Sequence, residues 1–159
     1  MAKKADKKRP GGADIARNRK AYFEFEILDR YEAGLVLMGS EVKGLRERGA
    51  SINDAYATLR SGEMWLIGLH IPEYWNAGSF GHDVGRERKL LLHRQEIEKM
   101  AVRISEKGLA IIPLRLYFKE GRAKIEIGVG RGKTLYDKRR TIAERDSKRD
   151  LDRIGKGRR

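Results

Sequence analysis

Three clusters of basic residues are the features of this sequence best suited to chemistry. One ends at Arg17-Asn18-Arg19-Lys20, another is Arg86-Glu87-Arg88-Lys89, and the third occupies the C-terminal end. Arginine, lysine and asparagine side chains bind phosphates, riboses and unstacked base edges, which is the chemistry of RNA recognition. Solubility is the competing interpretation for each cluster, because short basic runs are common on ordinary protein surfaces.

The positive charge is divided unevenly along the chain. Residues 1–20 hold eight basic and two acidic residues, a net charge of +6, and residues 131–159 hold twelve and five, a net charge of +7. Residues 21–130 hold sixteen of each sign, so the whole +13 lies in the two ends. Because cationic segments release counterions when they meet a polyanion, this pattern predicts a nucleic-acid partner. Neither end has an apolar face that would insert into a membrane.

Motifs for nucleotide hydrolysis and metal binding fail on inspection. Residues 128–134 end like a phosphate-binding loop, but that loop requires glycine at the position of Ile127. His70, His82 and His93 lie far apart, and none has a second ligand at a metal-binding spacing. The sequence therefore predicts no catalytic residue, no cofactor and no metal site.

Acidic pairs such as Glu24 and Glu26 could suggest acid–base catalysis, but they fall on the solvent side of predicted amphipathic elements. A nuclease stays open as the enzymatic alternative, because distant carboxylates can meet in the fold. The chain has no cysteine, which excludes disulfides and favours a reducing compartment. Its basic start is followed by Gly11-Gly12 rather than an apolar segment, so we expect a cytoplasmic protein.

Apolar alternation predicts a mainly β protein. Strands are expected over residues 22–28, 35–37, 56–59, 64–69, 109–118 and 123–129. A short helix is expected from Ser40 to Gly49, and a longer one over residues 94–107, where apolar residues recur at helical spacing. Residues 72–85 predict an open loop. We therefore predict an OB-like closed antiparallel β-barrel with inserted helices and a disordered basic C-terminal tail.

Three segments follow from charge and pattern together. Residues 1–17 are expected to be a flexible basic arm, residues 18–130 the RNA-binding barrel, and residues 131–159 the basic tail. Apolar residues of the tail are too few and too irregular to bury a stripe, so it should be disordered alone. Glu144 and Lys148 make a favourable pair at helical spacing, so the tail is expected to become helical on a charged partner.

Six stretches, taken in order, resemble the small protein B (SmpB) family, the SsrA-binding proteins of bacterial trans-translation. They are Asn18-Arg19-Lys20-Ala21, Tyr31-Glu32-Ala33-Gly34-Leu35, Gly39-Ser40-Glu41-Val42-Lys43-Gly44-Leu45-Arg46, Arg88-Lys89-Leu90-Leu91-Leu92-His93, Leu114-Arg115-Leu116-Tyr117-Phe118, and Gly132-Lys133 with Asp137-Lys138-Arg139. Several separate matches in the right order are more specific than any one of them.

The resemblance implies a non-enzymatic adaptor that binds the tRNA-like domain of transfer-messenger RNA (SsrA RNA). Such a protein accompanies the aminoacylated RNA, with elongation factor Tu, to stalled ribosomes, as a monomer without membrane contact. The RNA face expected from it comprises Asn18, Arg19, Lys20, Glu32, Lys43, Arg46, Arg88, Lys89, Leu91 and His93. Glu32 fits such a face because a carboxylate accepts hydrogen bonds from guanine amines or 2′-hydroxyls.

The resemblance also implies that the tail enters the vacant mRNA channel of the ribosome as a helix, which permits rescue and peptide tagging. The tail residues expected near small-subunit RNA and the decoding centre are Lys133, Tyr136, Asp137, Lys138, Arg139, Arg140 and Arg145. Tyr136 could stack on a base. Two departures weaken the transfer of single residues: His93 replaces the usual asparagine, and residues 142–147 lack a tryptophan that some relatives carry. A general single-strand binder or ribosomal protein is the non-enzymatic alternative.

Overall fold

The computed structural model describes residues 14–75, 81–106 and 108–157, which form seven strands and four helices. In chain order these are β1 (Asp14–Arg17), α1 (Arg19–Glu24), β2 (Phe25–Leu35), α2 (Gly39–Arg48), β3 (Tyr56–Arg60), β4 (Glu63–Ile67), β5 (Arg88–Leu91), α3 (Arg94–Ser105), β6 (Leu109–Lys119), β7 (Arg122–Gly132) and α4 (Leu135–Lys156). None of the described helices is both long enough and apolar enough to span a bilayer.

The strands form a closed antiparallel ring. Its order is β6, β3, β4, β5, β2 and β7, and the pairing of β7 with β6 closes it. β1 is not part of this ring and pairs with residues 115–117 of β6, beyond the position where β3 pairs. Helices α2 and α3 are inserted between strands of the ring. The predicted mainly β fold, with a closed antiparallel sheet and inserted helices, is confirmed.

Several elements lie close to the positions predicted from local features of the sequence. The turn between β3 and β4 lies at Ser61-Gly62, where both residues have positive φ angles of 49° and 76°. The register of β6 against β7 shifts between Pro113 and Arg115, as expected of a proline that interrupts a ladder. Helix α3 ends two residues before the predicted limit of 107. The described parts of the predicted loop, residues 72–75 and 81–85, lie outside strands and helices, and residues 76–80 lie outside the described residues.

The main apolar core fills the inside of the ring, because alternate residues of each strand point inward. Leu66, Leu90 and Ile125 come from three different strands and are fully buried there. Leu45 of α2 and Met100 of α3 complete this core. The remaining side chains of each strand point outward, and the packed core fixes the direction in which they point.

A second, smaller core lies outside the ring, where α1 packs on β6. Ala21 packs there against Ile112 and Leu114. Gly128 and Gly130 of β7 leave room for this layer, since a Cβ at Gly128 would lie 2.9 Å from Leu114 Cδ1. Side chains of the neighbouring strands β2 and β6 can lie over β7 because these two positions have no side chain.

The predicted strand over residues 22–28 is wrong at its start, because α1 extends to Glu24 and β2 begins at Phe25. Asn18 explains the difference. Its side-chain oxygen accepts from the amide of Ala21 at 3.0 Å and so caps α1, while its Nδ2 donates to the carbonyl of Pro113 at 3.0 Å. Residues 19–24 form a helix rather than a strand because Asn18 caps the helix and fixes it to the sheet, and this outweighs the short alternating pattern.

The folded body begins earlier than predicted. Asp14–Arg17 is strand β1, with Ala16 opposite Leu116 and Arg17 opposite Arg115, so the boundary lies at residue 14 rather than 18. The rest of the predicted flexible arm, residues 1–13, lies outside the described residues. Its flexibility stays a prediction.

Gly128→Ala should lower the free energy of unfolding by about 1–3 kcal/mol, because the new methyl group must displace Leu114 or Ile27. Gly132→Ala is the matched control: it lies in the same strand, and nothing lies within 4 Å of its added Cβ. Urea unfolding of both variants checks the difference. Equal effects of the two substitutions would contradict the close packing of Leu114 and Ile27 over Gly128.

Candidate nucleic-acid interface

Glu32 lies on the outer face of β2, where it binds two side chains of β6. The hydroxyl of Tyr117 donates to Glu32 Oε2, and Lys119 Nζ donates to Oε1 at 3.2 Å. Partial burial alone would raise the pKa of Glu32, but hydrogen bonds from Tyr117 and Lys119 hold that pKa below its usual value. Burial and the neighbouring carboxylate raise the pKa of Tyr117 well above its usual value. At neutral pH, Glu32 is therefore a charged carboxylate held in one orientation.

The register of the sheet brings these groups together. Glu32 lies opposite Glu126 of β7, which lies opposite Arg115 of β6, so their side chains form one outward row. The guanidinium of Arg115 lies 4.2 Å from the ring centroid of Tyr117, and its Nε lies 2.9 Å from Asp14 Oδ1. This row therefore carries charges of both signs across β1, β6, β7 and β2, with the two carboxylates Glu126 and Glu32 next to each other.

Leu91 lies beside Glu32 because β5 pairs with β2. Gly34, two residues after Glu32, lies opposite Leu91 on one side and Lys124 on the other. A Cβ at Gly34 would lie 3.2 Å from Leu91 Cβ, so glycine permits this close approach. Leu91 is 53% exposed, and with Arg122 and Lys124 it lines a groove of about 280 Å³. We refer to Glu32, Leu91, Tyr117, Lys119 and Lys124 as the Glu32 face.

The predicted RNA contact at Arg88 is wrong, because this side chain is completely buried. Its Nε donates to Glu41 Oε1 at 2.9 Å, and its Nη1 donates to the carbonyls of Leu69 and Arg86 at 2.6 and 2.7 Å. With its charge and donors engaged in the interior, Arg88 has no surface to offer to a phosphate. It fastens the start of β5 to α2 and to the chain that follows β4.

Glu41 is the partner that makes this burial possible. It is itself completely buried, and its Oε2 accepts from Arg86 Nη2 at 2.7 Å and from the amide of Met38 at 2.8 Å. Burial would raise the pKa of Glu41, but the hydrogen bonds from Arg86, Met38 and Arg88 and the charge of Arg88 lower it overall. Glu41, Arg86 and Arg88 form what we call the buried ion cluster.

The predicted RNA contact at Asn18 is also wrong. Asn18 is 2% exposed, and its side chain caps α1 and binds the carbonyl of Pro113. Both corrected residues lie in basic stretches that predict a surface, but their hydrogen-bonding partners lie in the interior.

The other predicted contacts of the body keep surface positions. Arg19, Lys20, Lys43, Arg46 and His93 are exposed. Lys89 is half-buried and its Nζ binds Glu63 Oε1 at 2.6 Å, while the amide of His93 donates to Glu96 at the start of α3. Among the predicted contacts, Glu32 and Leu91 are the two that neighbouring strands bring to one outer face.

Sequence reasoning missed Tyr117 and Lys119 as parts of this face. Both occupy alternate positions of β6, in phase with Arg115, so a period of two already indicates that the three point the same way. Their contact with Glu32, 85 residues before Tyr117 in the chain, depends on the order of β2, β7 and β6. Spacing alone does not give that order.

Helix α4 begins with a capping box and docks on the body through polar contacts. Asp137, a predicted ribosome contact, donates its amide to Thr134 Oγ1, and the Thr134 amide donates to Asp137 Oδ2, both at 3.3 Å. Lys133 Nζ donates to the carbonyl of Tyr22 at 3.1 Å and to Thr141 Oγ1 at 3.0 Å. Lys133 therefore joins α4 to α1.

Two tail cations also contact α1. Lys138 Nζ and the Arg145 guanidinium lie 6.0 and 5.9 Å from the ring centroid of Phe23. Tyr136 is 75% exposed, Arg139 is exposed, and Arg140 pairs with Glu144 within the helix at 3.2 Å. Residues 135–156 are helical here, and the predicted disorder of the tail without a partner stays a prediction.

Comparison with known proteins identifies the family. The model of the SmpB protein family matches residues 15–157 of this chain. The chain belongs to the SmpB family. The resemblance predicted from the sequence is thereby confirmed.

Relatives of this SmpB-family chain agree over most of its length. An SsrA-binding protein of Oleidesulfovibrio alaskensis is 50% identical over 147 residues, which cover 92% of this chain and 95% of that protein. Another SsrA-binding protein, from a Parafrankia species, is 52% identical and covers 92% and 93%. A chain from the structure described as "tmRNA-SmpB: a journey to the center of the bacterial ribosome" is 40% identical, with a TM-score of 0.65, and the match covers 77% of this chain and 87% of that chain.

Glu41→Gln should lower the free energy of unfolding by about 3–5 kcal/mol at pH 7, because it leaves the buried Arg88 without its carboxylate. The folded-state pKa of Glu41 lies below 4.5, so its contribution is complete above pH 4.5 and is lost as pH falls through the folded-state pKa. The difference between wild type and variant should shrink in that acid range. Urea unfolding from pH 7 downward measures it.

Glu63→Gln is the control, since Glu63 pairs with Lys89 at the surface and should contribute at most about 1 kcal/mol. A Glu41→Gln variant as stable as Glu63→Gln would contradict the structural role of the buried ion cluster.

Proposed function

We propose that this chain is an RNA-binding adaptor of trans-translation. It binds the tRNA-like domain of transfer-messenger RNA and delivers this RNA to stalled ribosomes. Its tail then occupies the vacant mRNA channel, which allows ribosome rescue and peptide tagging. The observation that carries the proposal is the Glu32 face: an oriented carboxylate beside an exposed leucine, on a family member whose relatives are called SsrA-binding proteins.

The Glu32 face has the chemistry of a shape-specific RNA contact. The carboxylate of Glu32 accepts hydrogen bonds from a guanine amine or a ribose 2′-hydroxyl, groups that a phosphate-binding lysine does not select. Leu91 supplies apolar contact to a base or sugar, and Lys124 and Arg122 beside it bind phosphates. A folded RNA that presents these groups together is preferred over an arbitrary single strand.

Charge division supports separate roles for the body and the ends. The body from 21 to 130 is neutral, so its selectivity arises from oriented groups, while the cationic tail neutralises phosphates of whatever RNA lies near it. In the ribosome, Lys133, Lys138, Arg139, Arg140 and Arg145 would bind small-subunit RNA along the channel. Tyr136 would stack on a base at the decoding centre.

Other partners follow from the same function. Elongation factor Tu would travel with the aminoacylated RNA, and the adaptor would act as a cytoplasmic monomer. The protein performs no covalent step in this scheme. A general single-strand binder would lack the preference for folded RNA, so competition by an unrelated single strand at fixed salt separates the two functions.

Glu32→Ala should weaken binding of the tRNA-like domain roughly tenfold, because a charged hydrogen-bond acceptor is lost from the interface. Glu126→Ala is the matched control: this carboxylate lies directly opposite Glu32 but is bound by Arg30 at 3.2 Å, and affinity should stay the same. Fluorescence anisotropy of labelled RNA at constant salt measures both. Unchanged affinity for Glu32→Ala would remove the Glu32 face from the proposal.

Truncation after Gly132 should leave the affinity for the tRNA-like domain nearly unchanged but abolish tagging on stalled ribosomes, because binding and channel occupancy use different parts of the chain. Tyr136→Ala should slow peptidyl transfer to the RNA without weakening binding, since its side chain is exposed and lies outside the Glu32 face. A reconstituted tagging assay and a binding assay are run in parallel. Equal loss in both assays for the truncation would contradict the division of roles.

A further inference from the structure

Helix α2 places two cations on one exposed side. Lys43 and Arg46 are three residues apart, so their side chains project from neighbouring positions of the helix, whereas Gly44 and Leu45 face the interior. Among the described residues, no carboxylate lies within 4.0 Å of either cation. Their charges are therefore available to an anion.

Each of these cations lies over an aromatic ring. Lys43 Nζ is 5.3 Å from the ring centroid of Tyr74, and the Arg46 guanidinium is 5.1 Å from that of Phe118. Such contacts hold a long side chain along the surface and leave its outward donors free. The ring of Phe118 packs against the main core, and the Arg46 guanidinium covers it from outside.

Trp75 follows Tyr74 and has an unusually exposed indole. It is 70% exposed, and its ring centroid lies 6.1 Å from that of Tyr74, with an angle of 51° between the planes. Trp65, the other tryptophan of the chain, lies half-buried in β4. An exposed aromatic surface of this size, next to the contact between Tyr74 and Lys43, indicates a contact with a partner.

Aromatic rings next to cations match the chemistry of unpaired nucleic acid. Every base has a flat face that can stack on an aromatic ring, and each nucleotide adds a phosphate for a nearby lysine or arginine. An acidic protein could satisfy the cations, but the pairing of an exposed indole with them favours an RNA strand.

We propose that Trp75, Tyr74, Lys43, Arg46 and Phe118 form a binding stripe for an unpaired segment of RNA, with one base stacked on Trp75 and phosphates bound by Lys43 and Arg46. The inference rests on the proposed function, since its ligand is an unpaired part of the same transfer-messenger RNA. The stripe adds a stacking contact at Trp75, which lies outside the three basic clusters of the sequence.

The test uses tryptophan fluorescence, because the chain has two tryptophans. A Trp65→Phe variant leaves Trp75 as the sole reporter, and a full-length transcript of transfer-messenger RNA is the probe. Fluorescence of Trp75 should be quenched in step with the anisotropy of labelled RNA. Trp75→Ala should bind this RNA about tenfold more weakly, while Trp75→Phe keeps a stacking face and should restore most of the affinity.

Tyr56→Ala is the control for loss of another exposed aromatic ring, and its affinity should match wild type. RNA that binds without quenching Trp75, and with equal affinity for Trp75→Ala, would overturn the stripe while leaving the adaptor function intact. That result would assign the indole to a protein partner. RNA that fails to bind the wild-type chain would instead overturn the proposed function itself.

Discussion

The buried ion cluster is the constraint on which the surface depends. Glu41 and Arg88 are both completely buried, so each charge is tolerable only in the presence of the other. Replacing such a pair with apolar residues is often neutral, which means that its main contribution is position rather than net stability. Here it fixes α2, which carries Lys43 and Arg46, against β5, which carries Leu91. Two candidate contact surfaces are thereby oriented by interior groups that never meet a ligand.

Closure of the ring fixes the orientation of the Glu32 side chain. Tyr117 and Lys119 reach its carboxylate across β7, so the orientation of Glu32 requires β2, β7 and β6 in one register. Gly34 lets Leu91 approach from the opposite side. An exposed carboxylate would otherwise repel RNA or rotate freely. Held by a tyrosine and a lysine, it becomes an acceptor with a fixed direction, and that is what recognition of a particular RNA shape needs.

Structural features that depend on neighbouring residues could be predicted from the sequence, whereas features that depend on residues far apart in the chain could not. Helix α3, the β3–β4 turn and the irregularity at Pro113 were predictable from spacing, capping and turn chemistry. The burial of Arg88 was not predicted, because its partner Glu41 lies 47 residues away in the sequence. One local signal did point to it: Arg88 alternates in phase with the buried Leu90, which places both side chains on the inner face of β5. Strand pairing, not composition, decides which basic residues reach solvent.

Helix α4 is held to the body by the same cations that the proposed ribosomal contacts require. Lys133, Lys138 and Arg145 bind a carbonyl, a hydroxyl and the ring of Phe23, and an exposed cation–π contact contributes only about 0.5–1 kcal/mol. Leu135, Leu151 and Ile154 stay exposed, so little apolar burial adds to this docking. RNA phosphates would offer these cations a full negative charge in place of neutral acceptors. A docked helix of this kind can therefore leave the body at small energetic cost when a ribosomal channel is within reach.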